Sequence, residues 1–427
     1  MSSRRSCPRR STAPRSAPRA NFPAGFLGTS SVTDPTADPS FYSLATDATT
    51  GVNTVTINAS ALLPTTFMGL ANFRNMTVNA SGQATRRMVD LSLVVDVSGS
   101  IAGQWSTVRD ATRNFIDSFD AAHDRMSLTL FSTGSQVSYT MPSTRGFDKT
   151  AMKAAVPNSL PGGSTAMAEG LYRGWDQLRT VPGGQQSSLR IIVLFTDGAA
   201  NGVPAKWGGT GAIATSARTA DFPYQGDPNT WNNPAVSGTI QDNSALGGSN
   251  VYPFSVTASA SSPQTVLSGI PAAVQHMPNT SWHTQHTSSG IPFSFPMVSN
   301  TLTVNGVAQS TKRSVLTDGT GQYPTTLWNV NNAARNLLEI IADAARTDTG
   351  GDYPIRIFTI GMGTLINLSL GTIPETPASM LQRVANDRVS PDFNSAQLAG
   401  NYYYAPTASD VSAAYEGIQN QILRLSK

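Results

Sequence analysis

The sequence predicts an α/β protein built on a parallel sheet. Three observations carry this reading. From about residue 88, buried-strand runs alternate with stretches of helical period. The run Ile191 to Phe195 is fully apolar, and Leu91 to Val95 and Ile355 to Ile360 are mostly so, as befits strands covered on both faces. The first two of these runs end on acidic or hydroxyl residues, and the third on glycines.

The elements follow in order. Met88 to Val95 reads as the first strand. Trp105, Val108, Thr112, Phe115, Ile116 and Phe119 then recur at helical spacing. Met126 to Phe131 and Gln136 to Met141 read as two short strands joined at Thr133-Gly134. Helices are expected near Thr150 to Val156 and from Thr165 to Leu178, before the strand Ile191 to Phe195. Val330, Ala334, Leu337, Leu338, Ile341 and Ala345 mark a long amphipathic helix ahead of Ile355 to Ile360. Thr376-Pro377 starts another helix, with Thr as N-cap and Pro at the first helical position. Tyr402 to Tyr404 is a last short strand. Thr407 and Asp410 form a variant capping box before a helix with Val411, Ala414, Tyr415, Ile418, Ile422 and Leu425 on one face.

Two regions break the pattern. Residues 198–326 are rich in Gly, Asn, Ser, Thr and Pro and read as an insertion, with short strands expected at Asn250 to Val256 and Ser299 to Val307. Residues 23–87 read as a small β-rich region: Val55 to Ala59 and Met76 to Ala80 alternate like strands, and a short helical or bulged segment is expected around Leu62 to Leu70. The α/β domain then takes residues 88–427.

Composition bounds the function. Of 427 residues only 13% are charged, so the surface leans on Ser, Thr, Asn and Gln, as suits an envelope or extracellular protein. The single cysteine, Cys7, allows no internal disulfide. No apolar run approaches the roughly 20 residues that span a bilayer, and no apolar core of a secretory signal is seen. Six of the 29 basic residues are arginines among the first 20 positions, which hold no acid; the remaining 23 face 26 acidic residues, a balance of −3. The basic character therefore belongs to an arm, residues 1–22, whose Ser/Pro/Arg composition predicts disorder. No nucleic-acid partner is expected.

The chemistry gathers where strands end. In a parallel sheet, ligands bind beyond the carboxyl ends of the strands. The first strand delivers Asp96, Ser98 and Ser100 there, and Gly99 lets the chain turn. The strand Ile191 to Phe195 delivers Thr196, Asp197 and Gly198, and PGGST places Thr165 on a loop facing the same crevice. Two carboxylates and three hydroxyls are hard oxygen donors, with no Cys or His among them. They suit Mg²⁺, or Mn²⁺ or Ca²⁺, rather than zinc. A competing reading makes the serines and Thr165 helix caps.

DVSGS at 96 to 100, Thr165 after GGS, and TDG at 196 to 198 together resemble the metal-ion-dependent adhesion site of von Willebrand factor A domains. The resemblance covers about residues 88 to 197 and 327 to 427. It implies a Rossmann-like, doubly wound, mostly parallel six-stranded sheet flanked by helices. It also implies that Ser98, Ser100 and Thr165 bind the ion through their hydroxyls, and Asp96 and Asp197 directly or through water. ANFPAGFLG at 20 to 28, LLPTTFMGL at 62 to 70, and the ending from Tyr402 are similar to TadG-like proteins of tight-adherence (Flp) pilus systems. Those proteins usually carry a membrane helix ahead of a periplasmic A domain; here an Arg-rich arm stands in its place, so no membrane anchor is expected in this chain. The implied role is non-enzymatic, metal-dependent protein binding, in which a partner supplies an acidic residue to the ion and the partners are pilus or envelope components.

Other classes stay open. A domain of this kind also serves as a soluble subunit of chaperone-like or ATPase-associated complexes. A phosphatase-like enzyme is the remote alternative: aspartyl phosphoryl transfer wants a second acid and a Lys, yet Ser98 and Ser100 hold the companion positions. No GxxxxGK or GxSxG motif exists, and His123 is the sole histidine of the α/β part before the insertion. His276, His283 and His286 read as a solvated loop rather than metal ligands, and Trp207, Trp231, Trp282 and Phe293 as the insertion's own small core.

Overall fold

The computed structural model describes residues 42–46, 52–64, 75–132, 134–160, 162–163, 165–206, 237–241, 282–283, 294–295, 303–304, 307–308, 315–317, 319–322, 327–368 and 375–425. The basic arm, the Asn250 to Val256 expectation, His276 and His286 lie outside them.

The chain divides into two compact units. One holds a three-stranded sheet of order β1-β2-β3, made by Tyr42–Thr46, Asn53–Pro64 and Asn75–Arg86. Strand β2 runs on through Leu62 to Pro64, where a helical or bulged segment was expected.

The second unit is the α/β domain. Its strands are β4 (Val89–Asp96), β5 (Arg125–Phe131), β6 (Ser135–Tyr139) and β7 (Leu189–Thr196), with helices α1 (Trp105–Asp117), α2 (Lys149–Ala154) and α3 (Met167–Arg179). Four short hairpin pieces follow β7 and its loop: β8 (Gly202–Lys206) pairs with β9 (Ser237–Gln241), and β10 (Trp282–His283) with β11 (Ser294–Phe295). β12 (Thr303–Val304) pairs antiparallel with β13 (Val307–Ala308), so the stretch Ser299 to Val307, which reads as one strand in the sequence, holds β12 and the start of a second strand. Then come α4 (Leu327–Arg346), β14 (Ile355–Met362), α5 (Pro377–Ala385), β15 (Tyr402–Ala405) and α6 (Val411–Leu425).

The main sheet has the order β15-β14-β7-β4-β5-β6. All its pairs are parallel except the β5–β6 hairpin. Strands β4 and β7 are buried at every position, as the apolar runs demand. Helices cover both faces. On one, Leu91, Leu93, Val95, Val193 and Phe195 meet α1 and α6, where Phe115 stacks on Tyr415 with ring centroids 4.5 Å apart. On the other, Val94, Ile192 and Leu194 meet α3, α4 and α5. The Thr376 cap is realised as a capping box with Ser379, and Asp410 accepts a 3.0 Å hydrogen bond from the Thr407 amide.

Helix α3 lies unusually close to the sheet because two glycines one turn apart face it. A methyl on Gly174 would stand 2.5 Å from Val94 Cγ2, and one on Gly170 2.7 Å from Phe131 Cδ1. This close seat matters because the loop leading into α3 carries Thr165.

Replacing a helical glycine with alanine normally stabilises by about 1 kcal/mol. Here the sign should reverse. Gly174→Ala is expected to destabilise by roughly 1–3 kcal/mol through overpacking, read as a lower urea midpoint at unchanged m-value. A gain in stability would show that α3 can move off the sheet freely.

Candidate metal centre

Adjacent parallel strands β4 and β7 end side by side, which brings Asp96 and the Thr196-Asp197 pair to one edge. The loop after β4 is laced to the loop before α3. The Gly99 amide donates to Gly163 O at 3.0 Å, and the Gly162 amide to Val97 O at 3.2 Å. A Cβ on Gly99 would touch Gly163 O at 3.5 Å, so the two backbones run nearly in contact.

The side chains interlock across these loops. Asp96 Oδ1 accepts the Ser98 amide at 2.8 Å, and Asp96 Oδ2 accepts the Thr196 hydroxyl at 2.6 Å. The Ser100 hydroxyl donates to Asp197 Oδ1 at 2.7 Å, with Ser98 Oγ 3.2 Å from Ser100 Oγ. Asp96, Ser98, Thr165 and Asp197 are buried while Ser100 is exposed, so the cluster opens on the Ser100 side.

Thr165 is placed by its backbone. Its amide donates to Asn201 Oδ1 at 2.9 Å, and the Asn201 amide returns a 3.2 Å bond to Thr165 O. Its hydroxyl makes no hydrogen bond among the described residues, although the residue is only 5% exposed. The helix-cap reading fails here. The N-cap of α3 is Ala166, with no side-chain cap, and neither Ser98 nor the N-cap of α1, Gln104, supplies one.

The electrostatics are one-sided. Burial, and then the charge of Asp197, push the Asp96 carboxyl up to about 7. Burial pushes Asp197 up to about 6, against the lowering pull of the Ser100 hydroxyl. Among the described residues no Lys or Arg pairs with either carboxylate. Among the described residues no three His, Cys, Asp or Glu gather in one place, so a transition-metal cage is absent there. Two desolvated carboxylates, three hydroxyls and one of those hydroxyls unengaged form a donor set that fits a hard divalent cation.

Two contributors escaped the sequence reading. Thr196 was placed at the edge but given no role; its hydroxyl holds Asp96. Asn201 falls within the 198–326 stretch that reads as insertion; the clamp it forms spans 36 positions and has no local signal. His123, the one candidate for a Ser/His/Asp triad, sits before β5 and bonds Asp120 at 2.8 Å, at the opposite end of the sheet.

Residues 90–221 match the von Willebrand factor type A domain. The α/β unit has the von Willebrand factor type A fold. Strands β14 and β15 and helices α4 to α6 lie beyond the matched residues, yet they complete the same sheet and its covering layers.

Solved structures similar to the chain include the pilus adhesin SpaC from Lactobacillus rhamnosus GG, at 16% identity and TM-score 0.41 over 90% of this chain. The chain spans 34% of the SpaC chain. The vWF domain of the type V pili tip protein Mfa5 from Porphyromonas gingivalis is 16% identical, with TM-score 0.42 over 81% of this chain and 98% of that one. The PilB minor pilin from Streptococcus sanguinis is 13% identical, with TM-score 0.40 over 90% and 78%.

The raised carboxyls fix a sign. A group whose folded pKa lies above its unfolded value favours the fold below the unfolded pKa and loses that contribution as pH rises through the folded one. In metal-free buffer, Asp96 should therefore weaken the A domain between about pH 4 and 7. Asp96→Asn removes the ionisation. At pH 8 in chelator it is expected to be more stable than wild type by about 1–4 kcal/mol, with the gap closing near pH 4. Thermal unfolding of both proteins across this range checks it.

Proposed function

We propose that the A domain is a non-enzymatic, metal-dependent protein-binding module, working in adhesion or in assembly of a bacterial surface appendage such as a tight-adherence pilus. The observation that carries this is the buried Asp96–Asp197 pair, which has no basic partner among the described residues, while the loop laced to Val97 and Gly99 leads into Thr165, whose hydroxyl is unengaged there.

In this reading Ser98, Ser100 and Thr165 hold the ion through their hydroxyls, and Asp96 and Asp197 hold it directly or through water. A bound Mg²⁺, Mn²⁺ or Ca²⁺ would neutralise the two carboxylates and offer one position to a carboxylate oxygen from a partner protein. The chain's own residues supply the preorganisation. Thr196 and the Ser98 amide fix both oxygens of Asp96, so that carboxylate cannot turn away. Asn201 fixes the backbone of Thr165. Ser100, on the open side, stands where a partner would approach.

Several features support a binding role over catalysis. The residues bonded to the cluster include no His, Lys or Cys to act as base or nucleophile. The segment following β7 begins beside the cluster, with Ala200 buried in the α3–α4 core and Asn201 on Thr165, so that segment is well placed to set partner choice. The pilus assignment extends the likeness of the ending from Tyr402 to TadG-like proteins. An envelope or extracellular location follows from it. Among the described residues no helix is long and apolar enough to cross a membrane.

Titration calorimetry with Mg²⁺ and Mn²⁺ tests the reading. One ion per chain is expected, with Asp96→Ala abolishing binding and Thr165→Ala weakening it at least 10-fold while far-ultraviolet circular dichroism stays unchanged. An array of acidic peptides should be retained by wild type only with the ion present. Ion affinity indifferent to both substitutions, or peptide capture that survives chelator, overturns it.

A further inference from the structure

A second constellation of unbalanced charge lies at the other end of the sheet. Arg356 is the second residue of β14, on the face turned to α6, and pairs in register with Ile191 rather than with the strand ends that carry the metal cluster. It lies five positions before Gly361, the partner of Thr196, so about 17 Å of strand lies between the two regions. Arg356, Arg388, Asn401 and Gln421 line a cavity of about 270 Å³, walled by Phe358 and Leu425.

Neither arginine makes an ion pair or a hydrogen bond among the described residues. Arg388 lies over the Phe393 ring at 5.6 Å and is otherwise exposed. Asp387, the nearest acid in sequence, is already engaged, its Oδ2 accepting the Tyr402 amide at 2.7 Å and its Oδ1 the Val389 amide at 3.1 Å. Burial, and then the neighbouring charge of Arg388, lower the pKa of Arg356. Gln421 Nε2 donates to Asn401 Oδ1 at 3.3 Å, which uses the acceptor of Asn401 and leaves its amide group as a donor. The side chains lining the space thus offer two guanidiniums and an amide N–H, and no carboxylate.

Two like charges held together beside a cavity, one of them half buried, are unfavourable unless something negative joins them. Guanidinium forks match the oxygens of carboxylate and phosphate. The volume sits just below the range of drug-sized ligand pockets, so the occupant is compact. We propose that the cavity between the start of β14, the 388–401 segment and the last turns of α6 is a binding site for a small oxyanion, a phosphate or an organic carboxylate, held by Arg356 and Arg388 with Asn401. The site is independent of the metal cluster and of the function proposed for it. Because α6 lines it, occupancy ties the end of that helix to β14.

Calorimetry and thermal unfolding in metal-free, chelator-containing buffer of constant ionic strength test the site apart from the metal centre. The probes are inorganic phosphate and succinate, which distinguish the two oxyanion sources. At least one is expected to bind saturably and raise the unfolding temperature. Arg356→Gln should weaken that binding at least 10-fold. It should also raise the unfolding temperature in anion-free buffer, because a half-buried, like-charged group is gone; this separates a lost site from a lost fold. Arg87→Gln, which removes an exposed charge elsewhere, should leave binding unchanged. Absence of saturable binding by both probes, or equal binding by wild type and Arg356→Gln, overturns the proposal.

Discussion

The A domain turns on a repulsion. Asp96 ends β4 and Asp197 directly follows β7, its neighbour in the sheet, and the parallel register of the two strands brings both to one edge. Both are buried, and among the described residues neither has a cation beside it. An isolated pair of this kind would be costly, since charge taken out of water must be paired or neutralised. The fold meets the cost partly with hydroxyl and amide donors from Thr196, Ser98 and Ser100, and the remaining imbalance is what the proposed divalent ion would neutralise.

Everything around the pair serves to keep it in place. Gly170 and Gly174 let α3 sit on β4 and β5, which brings the loop carrying Thr165 to within hydrogen-bonding reach of the first loop at Gly99 and Gly163. Asn201, in the loop after β7, fastens the backbone of Thr165. Beyond the long interruption, Val315 is again buried in the α3–α4 core, and Asn329 clips the backbone of Leu316 with bonds of 2.8 and 2.9 Å. The interruption thus leaves and rejoins one rigid layer, and its length is tolerated because loop closure grows only slowly costlier with residue number.

Much of this was legible in the amino-acid order. Strands buried on both faces announce themselves as apolar runs, so β4, β7 and β14 and the helices between them fell where periodicity put them. The DVSGS, Thr165 and TDG residues were legible because strand ends in a parallel sheet share an edge. The illegible parts are those set by distant partners. Nothing near Asn201 says that it clamps a residue 36 positions earlier, and nothing near Arg356 says that Arg388 lies across from it. The close seat of α3 was hidden too, since a glycine in a helix reads as a weakness until the strand beneath it is known. Leu62 to Pro64 went astray for the converse reason: two adjacent leucines resemble a helical turn, and only pairing along β2 makes them strand.

The central claim is that five side chains, Asp96, Ser98, Ser100, Thr165 and Asp197, surround one divalent cation. A crystal structure grown with Mn²⁺, with the ion located by its anomalous signal, tests it most directly. A single peak is predicted in this cluster, with the hydroxyl oxygens of Ser98, Ser100 and Thr165 about 2.0–2.4 Å away and the two carboxylates bound directly or through water. No peak there at saturating Mn²⁺, or an ion held by other residues while these oxygens stay turned from one another, would contradict the account.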